Sequence, residues 1–268
     1  MPLAEFAVMR RILLLILFAA ALLLTPPAPA RPYRLPRPIV DTEANCTTAS
    51  FFPAAAAVPY INSADTIDID LFLVGDRGIS TSRMERLVQT AAKAYKPLGL
   101  NLKVAGTQEV IFQGTDTQEL FEQVKSLFPG SERPAGSDAV ILFTSVDITA
   151  GALGSSVAGQ ADCVGGVLFP RKSFVVVEDT KPSDEGTRYG PVSLVGEAAA
   201  KITGHELAHL FGAHHQYANC AEGIPSEMDR AEVSPCTLMF NALTGVSLAF
   251  GALEASVVRG YAEEYARP

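Results

Sequence analysis

An α/β domain built on a mostly parallel sheet is the fold class this sequence predicts, and three observations predict it. Strand-like and helix-like stretches alternate from Thr66 to Val177. Within that span, Ala139 to Phe143 is continuously apolar, as in a central strand covered on both faces. A later segment is apolar almost all the way round at helical spacing, the mark of a helix buried through the middle of a domain. The β-α-β-α-β order lays the strands side by side with right-handed crossovers.

Each element has its own signature. Ile67, Ile69, Leu71 and Leu73 alternate with Asp68 and Asp70, which is the period of a strand. Ser82-x-x-Glu85 reads as a capping box, followed at helical spacing by Met84, Leu87, Val88, Ala91 and Tyr95 until Pro97 and Gly99. Leu100, Leu102 and Val104 alternate again. Asp116-x-x-Glu119 opens a second helix carrying Leu120, Val124, Leu127 and Phe128, stopped by Pro129-Gly130. After Ala139 to Phe143 comes a weakly patterned, glycine-rich stretch from Gly151 to Phe169. Phe174 to Val177, closed by Glu178-Asp179, is the last strand, and residues 180–190 form a polar loop. The buried helix starts near Val192 and carries Leu194, Val195, Ala198, Ala199, Ile202, Leu207, Leu210 and Phe211. Glu197 and Lys201, four apart, mark its solvent-facing strip. Leu248 to Tyr265 is a closing helix with Leu253, Val257, Val258 and Tyr261 on one side.

The beginning of the chain has a different texture. Arg10-Arg11 precede thirteen apolar residues, Ile12 to Leu24, and Ala28-Pro29-Ala30 offers small residues for cleavage. Residues 1–30 therefore read as an export signal, with Met1 or Met9 as the start, and the apolar run is shorter than the roughly 20 residues of a membrane-spanning helix. Residues 31–65 are Pro- and Ala-rich, an extended arm or short pro-segment. The folded domain is assigned to residues 66–268. Losing Glu5, Arg10 and Arg11 with the signal takes the net charge from −8 to −9. So acidic a chain is unsuited to nucleic acid or anionic membrane. A soluble, exported, monomeric protein is expected.

All four histidines fall within Gly204 to His215, in the pattern H-E-x-x-H-x-x-G-x-x-H through His205, Glu206, His209, Gly212 and His215. Residues four apart share a helix face, so His205 and His209 present imidazoles to one ion. A third ligand from the next turn would be too nearly collinear with them. Gly212 is the residue best able to turn left-handed and end the helix, letting His215 approach from another direction. Three nitrogen ligands leave a vertex open, as in catalytic zinc sites, and Glu206 is placed to take a proton from water there. His214 fits a neighbouring rather than a ligating position.

This extended motif resembles that of the metzincin zinc endopeptidases, which also carry a methionine in a tight turn beneath the metal. Pro235-Cys236-Thr237-Leu238-Met239-Phe240 supplies the matching Met239. The likeness is closest to the reprolysin (adamalysin-like) group, in which a cysteine just before that methionine is common. Astacin- and serralysin-like members have a tyrosine two residues after it, where this chain has Asn241. The resemblance runs from about Thr66 to the C-terminus, although 31–65 is much shorter than reprolysin pro-domains. It implies a five-stranded sheet with an antiparallel edge strand, a central zinc helix, and a small irregular C-terminal subdomain ending in a helix. Gly159-Gln160-Ala161, then Gly165-Gly166-Val167, resembles the edge strand along which the family lays its substrate, and a plain connection is the competing reading. The resemblance also pairs Cys220 with Cys236, which leaves Cys46 and Cys163 to each other among the three pairings that four cysteines allow. A disulfide is preferred for Cys46 over a thiolate cap on the zinc.

The function these residues imply is a secreted zinc endopeptidase acting on extended peptides through a metal-activated water, with Glu206 as general base and then acid. Zn²⁺ is the one cofactor assigned, and no spacing in the chain speaks to calcium. Two other readings stay open. One is an exported zinc-dependent binding protein without hydrolysis, the other an amidase acting on non-peptide substrates.

Overall fold

The alternation at the start of the domain becomes β1 (Ile67–Asp76), the strand from which the sheet grows. β2 (Leu100–Val110) and β3 (Ala139–Thr144) pair with it in parallel on either side. β7 (Phe174–Glu178) adds in parallel to β3, and β6 (Gly159–Ala161) runs antiparallel at the far edge. The sheet order is β2-β1-β3-β7-β6. The structure, a computed structural model, describes residues 65–150, 155–179, 198–215, 237–239 and 248–266. The expected signal at 1–30, nearly all of the arm at 31–65, the helix start near Val192, and Cys46, Cys220, Cys236 and Asn241 lie outside them.

Strand alternation sorts the core into two layers. On one face, Ile69, Leu71, Leu73, Ile141, Phe143, Val175 and Val177 pack beneath α1 (Thr81–Tyr95), α3 (Ala198–Leu210) and α4 (Ala252–Tyr265). On the other face, Val74, Val140, Leu142, Phe174 and Val176 meet α2 (Thr117–Ser126). β3 and β7 are buried at every position, because helices cover both their faces.

Local chemistry sets the helix ends. Asp116 caps α2 by accepting from the N–H groups of Gln118 at 2.9 Å and Glu119 at 3.3 Å, a device worth about 1 kcal/mol. At α1 the cap is Ser80, whose hydroxyl accepts from the Arg83 N–H, so the Ser82-x-x-Glu85 box is displaced by two residues. The cause is the left-handed Arg77-Gly78 pair just before it, which turns the chain so that Ser80 is the last extended residue. α4 begins at Ala252 rather than Leu248, where Glu254 reaches back to the Gly251 N–H.

Two further expectations change. Lys201 is fully buried instead of facing solvent, because α3 is covered along its whole length by the sheet, α1 and the turns around it. Residues 155–169 hold more regular structure than their composition implies. They carry β5 (Ser155–Val157), which pairs antiparallel with β4 (Ile148–Ala150), then β6, then a 3₁₀ turn at Gly166–Leu168 where strand was expected. Gly165 sets that turn with a φ of 81°.

Arginines tie the layers together. Arg83 of α1 forks onto Asp179 just past β7, with N–O distances of 2.7–3.2 Å. Arg259 of α4, buried, donates to the carbonyls of Asp65, Leu98 and Gly99, fixing the last helix to the entry of β1 and β2.

Candidate metal centre and active site

α3 carries the site, and its end is built by a glycine. Gly212 has a φ of 83°, its N–H bonds to His209 O at 2.9 Å, and Ala213 N–H reaches Ala208 O at 3.0 Å. That pair of bonds is the Schellman arrangement, the expected way for a left-handed glycine to end a helix. A side chain at Gly212 would in addition run into the Tyr261 ring of α4, within 2.5 Å. The chain then bends, and His215 comes back toward the helix.

The three imidazoles converge. The Nε2 atoms of His205, His209 and His215 lie 3.0, 3.1 and 3.2 Å from one another. They form the one group of three or more His, Cys, Asp or Glu side chains suited to a metal among the described residues. Backbone carbonyls set the tautomers. His205 Nδ1 donates to Leu238 O and His209 Nδ1 to Ala213 O, each at 2.7 Å. A carbonyl can only accept, so both protons sit on Nδ1 and both Nε2 atoms present lone pairs. Lone pairs facing one another this closely repel unless a cation lies among them. Nitrogens about 2.0–2.1 Å from one tetrahedral ion would stand about 3.3 Å apart, close to the separations found. The donor set fits a small divalent metal.

Burial keeps these ligands neutral. It pulls His205 down to about 4, with the charge of a neighbouring imidazole adding to the effect, and it holds His209 well below the ordinary imidazole value. His215, at the mouth of the site, is lowered by the same cause. His214 is half-buried beside them and forms no part of the triad.

Glu206, beside the first histidine of the motif on α3, is 8% exposed. Burial raises its carboxyl to about 8, against a hydrogen bond from the Ala161 N–H that favours the charged form. The strand supplying that N–H lies very close. A Cβ on Gly159 would stand 2.4 Å from Ile202 Cγ2 and 2.8 Å from Glu206 Cγ, so only glycine lets β6 approach this closely. Bonds from Glu178 N–H to Ala158 O and from Asp162 N–H to Phe174 O fix the pairing phase with β7. In that phase the backbone groups of Gly159 and Ala161 point away from β7, toward the open edge. Gly159, Gln160 and Ala161 are thus brought beside Glu206, and Gln160 turns to the opposite face, where Thr117 donates to it at 2.6 Å.

Met239 is fully buried in a turn whose neighbour, Leu238, accepts the His205 proton. Leu238 N–H bonds to Ala249 O, and the Thr237 hydroxyl to Glu254, which joins this turn to α4. Cys163 is buried and disulfide-bonded, with its partner outside the described residues. Three supports carry no sequence signal of their own. Tyr95 donates to Gly204 O at 2.6 Å, one residue before the first ligand. Tyr261 covers two of the left-handed glycines, Gly165 and Gly212. Ala161 acts through its backbone, so no side-chain pattern could reveal it.

No curated protein matches the chain. Among solved structures it is similar to a chain in a chaperone–substrate complex, at 13% identity over 76% of this chain and 35% of that one, with a TM-score of 0.47. It is also similar to metalloproteinase-II from Bacteroides fragilis, at 12% identity over 75% and 55%, TM-score 0.45. Archaemetzincin from Methanopyrus kandleri matches at 20% identity over 73% and 96%, TM-score 0.46. The chain spans about a third of the first of these chains and just over half of the second. All three TM-scores lie below 0.5, so the family assignment rests on sequence. A profile of the reprolysin-like metallopeptidase family M12B matches residues 81–216, just over half the chain and the whole of the histidine motif. The chain therefore belongs to the reprolysin-like M12B metallopeptidase family.

Proposed function

We propose that the protein is an exported, monomeric zinc endopeptidase. The observation that carries the reading is the meeting of three Nε2 atoms at a helix whose next residue, Glu206, holds a buried carboxyl against the edge strand β6. His205, His209 and His215 hold the ion. When bound, zinc supplies Lewis acidity, lowering the pKa of water toward about 7 and polarising a carbonyl oxygen. Glu206 takes the proton of the attacking water and passes it to the departing amine nitrogen. Its burial suits the second half of that task, since a dry carboxyl holds a proton readily, and the Ala161 N–H orients it. The edge of β6 pairs with an extended peptide through the backbone groups of Gly159 and the carbonyl of Ala161.

Met239 serves as the turn beneath the metal, and Cys220–Cys236 and Cys46–Cys163 as the disulfides. Export is supported by the apolar run after Arg10-Arg11 and by the disulfide at Cys163, a bond of oxidising compartments. No helix among the described residues is long and apolar enough to cross a membrane. The test is hydrolysis of an unfolded protein by wild type and by Glu206→Gln. Chelation should abolish it and zinc restore it, and Glu206→Gln should lose about 10²–10⁴-fold in kcat. Equal turnover by the two forms would refute the role of Glu206.

A further inference from the structure

β6 raises a mechanical problem. It is three residues long, pairs with β7 on one side, and under the peptidase reading must leave its other side free. One ladder does little to fix how far such a strand stands from the helix beneath it. That distance is critical, because Gly159 has no room to move toward Ile202 and Glu206.

Side chains alternate along β6, so Gly159 and Ala161 face α3, whereas Gln160 and Asp162 face α2. Thr117, Phe121 and Lys125 stand four apart on one side of α2, and all three are buried. The Thr117 hydroxyl donates to Gln160 Oε1 at 2.6 Å. The Lys125 ammonium lies 2.7 Å from Asp162 Oδ2, with the two side chains 10% and 6% exposed. The same ammonium sits 5.7 Å from the ring centroids of Phe121 and Phe174. Lys172 reaches the other Asp162 oxygen at 3.4 Å. A buried ion pair adds little stability, since desolvation offsets the attraction, but it holds its partners at a fixed geometry. The chemistry at the metal uses none of these groups.

We infer that α2 braces the substrate edge, with Thr117 and Lys125 as positioning residues that hold β6, through Gln160 and Asp162, at its height over Glu206. This rests on the peptidase reading for its bearing on catalysis, but not for the bracing itself. A misplacement of about 1 Å costs roughly a hundredfold in rate.

The double variant Lys125→Met/Asp162→Leu replaces the pair by apolar groups, a change that leaves stability near or above wild type. Zinc affinity and the absorption spectrum of the cobalt-loaded protein should stay unchanged. Amide hydrogen exchange at residues 159–161 should speed up at least about tenfold, with α3 unaffected, and kcat/KM on a long peptide should fall about 10–100-fold. A short amide substrate, unable to pair along β6, should lose far less. Thr117→Val should act in the same direction and Thr117→Ser should stay near wild type, which keeps the test intact if the double variant fails to fold. Wild-type exchange at β6 in the folded variants overturns the brace. Faster exchange with undiminished peptide hydrolysis overturns its bearing on catalysis. Should the wild type cleave no peptide at all, the peptidase reading fails, and exchange at β6 still decides the brace.

Discussion

β2 presents eleven residues at one edge of the sheet, whereas β6 presents three at the other. The long edge is defended. Its register slips beside Leu71 and Phe72, leaving Ala105 as an extra residue, and Lys103 and Glu109 stand exposed along it. The Phe72 ring lies against Gly106 within this irregular stretch. Bulges and charges of this kind turn away incoming strands. The short edge has none of these defences. Its glycine brings it against the metal helix, and the outward groups of Gly159 and the Ala161 carbonyl face no further strand among the described residues. Within one sheet, one edge is guarded against pairing, and the other is left as the proposed function requires for gripping a peptide.

The largest effect should come from filling the open edge. Gly159→Val places carbon where Ile202 and Glu206 already stand, so β6 must lift. Peptide kcat/KM should fall by about 10²-fold or more, while metal analysis still finds one ion per chain. Loss of the metal together with the activity would mean that β6 supports the ligands rather than the substrate.

A second effect measures how dry the closed-over edge is. In the metal-free protein the Glu206 carboxyl titrates near 8 when folded, against 4.5 as the ordinary value. Between those values the folded state binds more protons than the unfolded one, so stability falls as pH rises. Denaturant titrations should therefore show metal-free wild type losing ground to Glu206→Gln from pH 4.5 to 8, with a constant gap above 8. A gap independent of pH would place Glu206 in water. The smallest effect belongs to the defended edge. Lys103→Val with Glu109→Val should leave peptide hydrolysis unchanged but promote self-association, read by light scattering. Persistent monomers would mean that the bulge alone is a sufficient guard.

The motif made the metal ligands legible because its spacing is a statement about helix geometry: two histidines one turn apart, a glycine that ends the helix, and a third histidine beyond it. Asp116 and the uniformly apolar β3 were legible for the same local reason. What sequence hid is tertiary. Lys201 reads as a surface residue, yet its helix is covered on all sides. Tyr261 reads as one aromatic on a closing helix, and only the fold brings it over Gly212, some fifty residues earlier. The hydrogen bond from Ala161 to Glu206 involves a backbone N–H, which every non-proline residue has.

The central claim is that three imidazole Nε2 atoms hold one ion with a vertex left over for water. X-ray absorption at the zinc edge of the metal-loaded wild type measures this most directly. It should find three nitrogens at about 2.0–2.1 Å plus oxygen from solvent, and no sulfur. A sulfur at about 2.3 Å, or a fourth protein nitrogen, would contradict it.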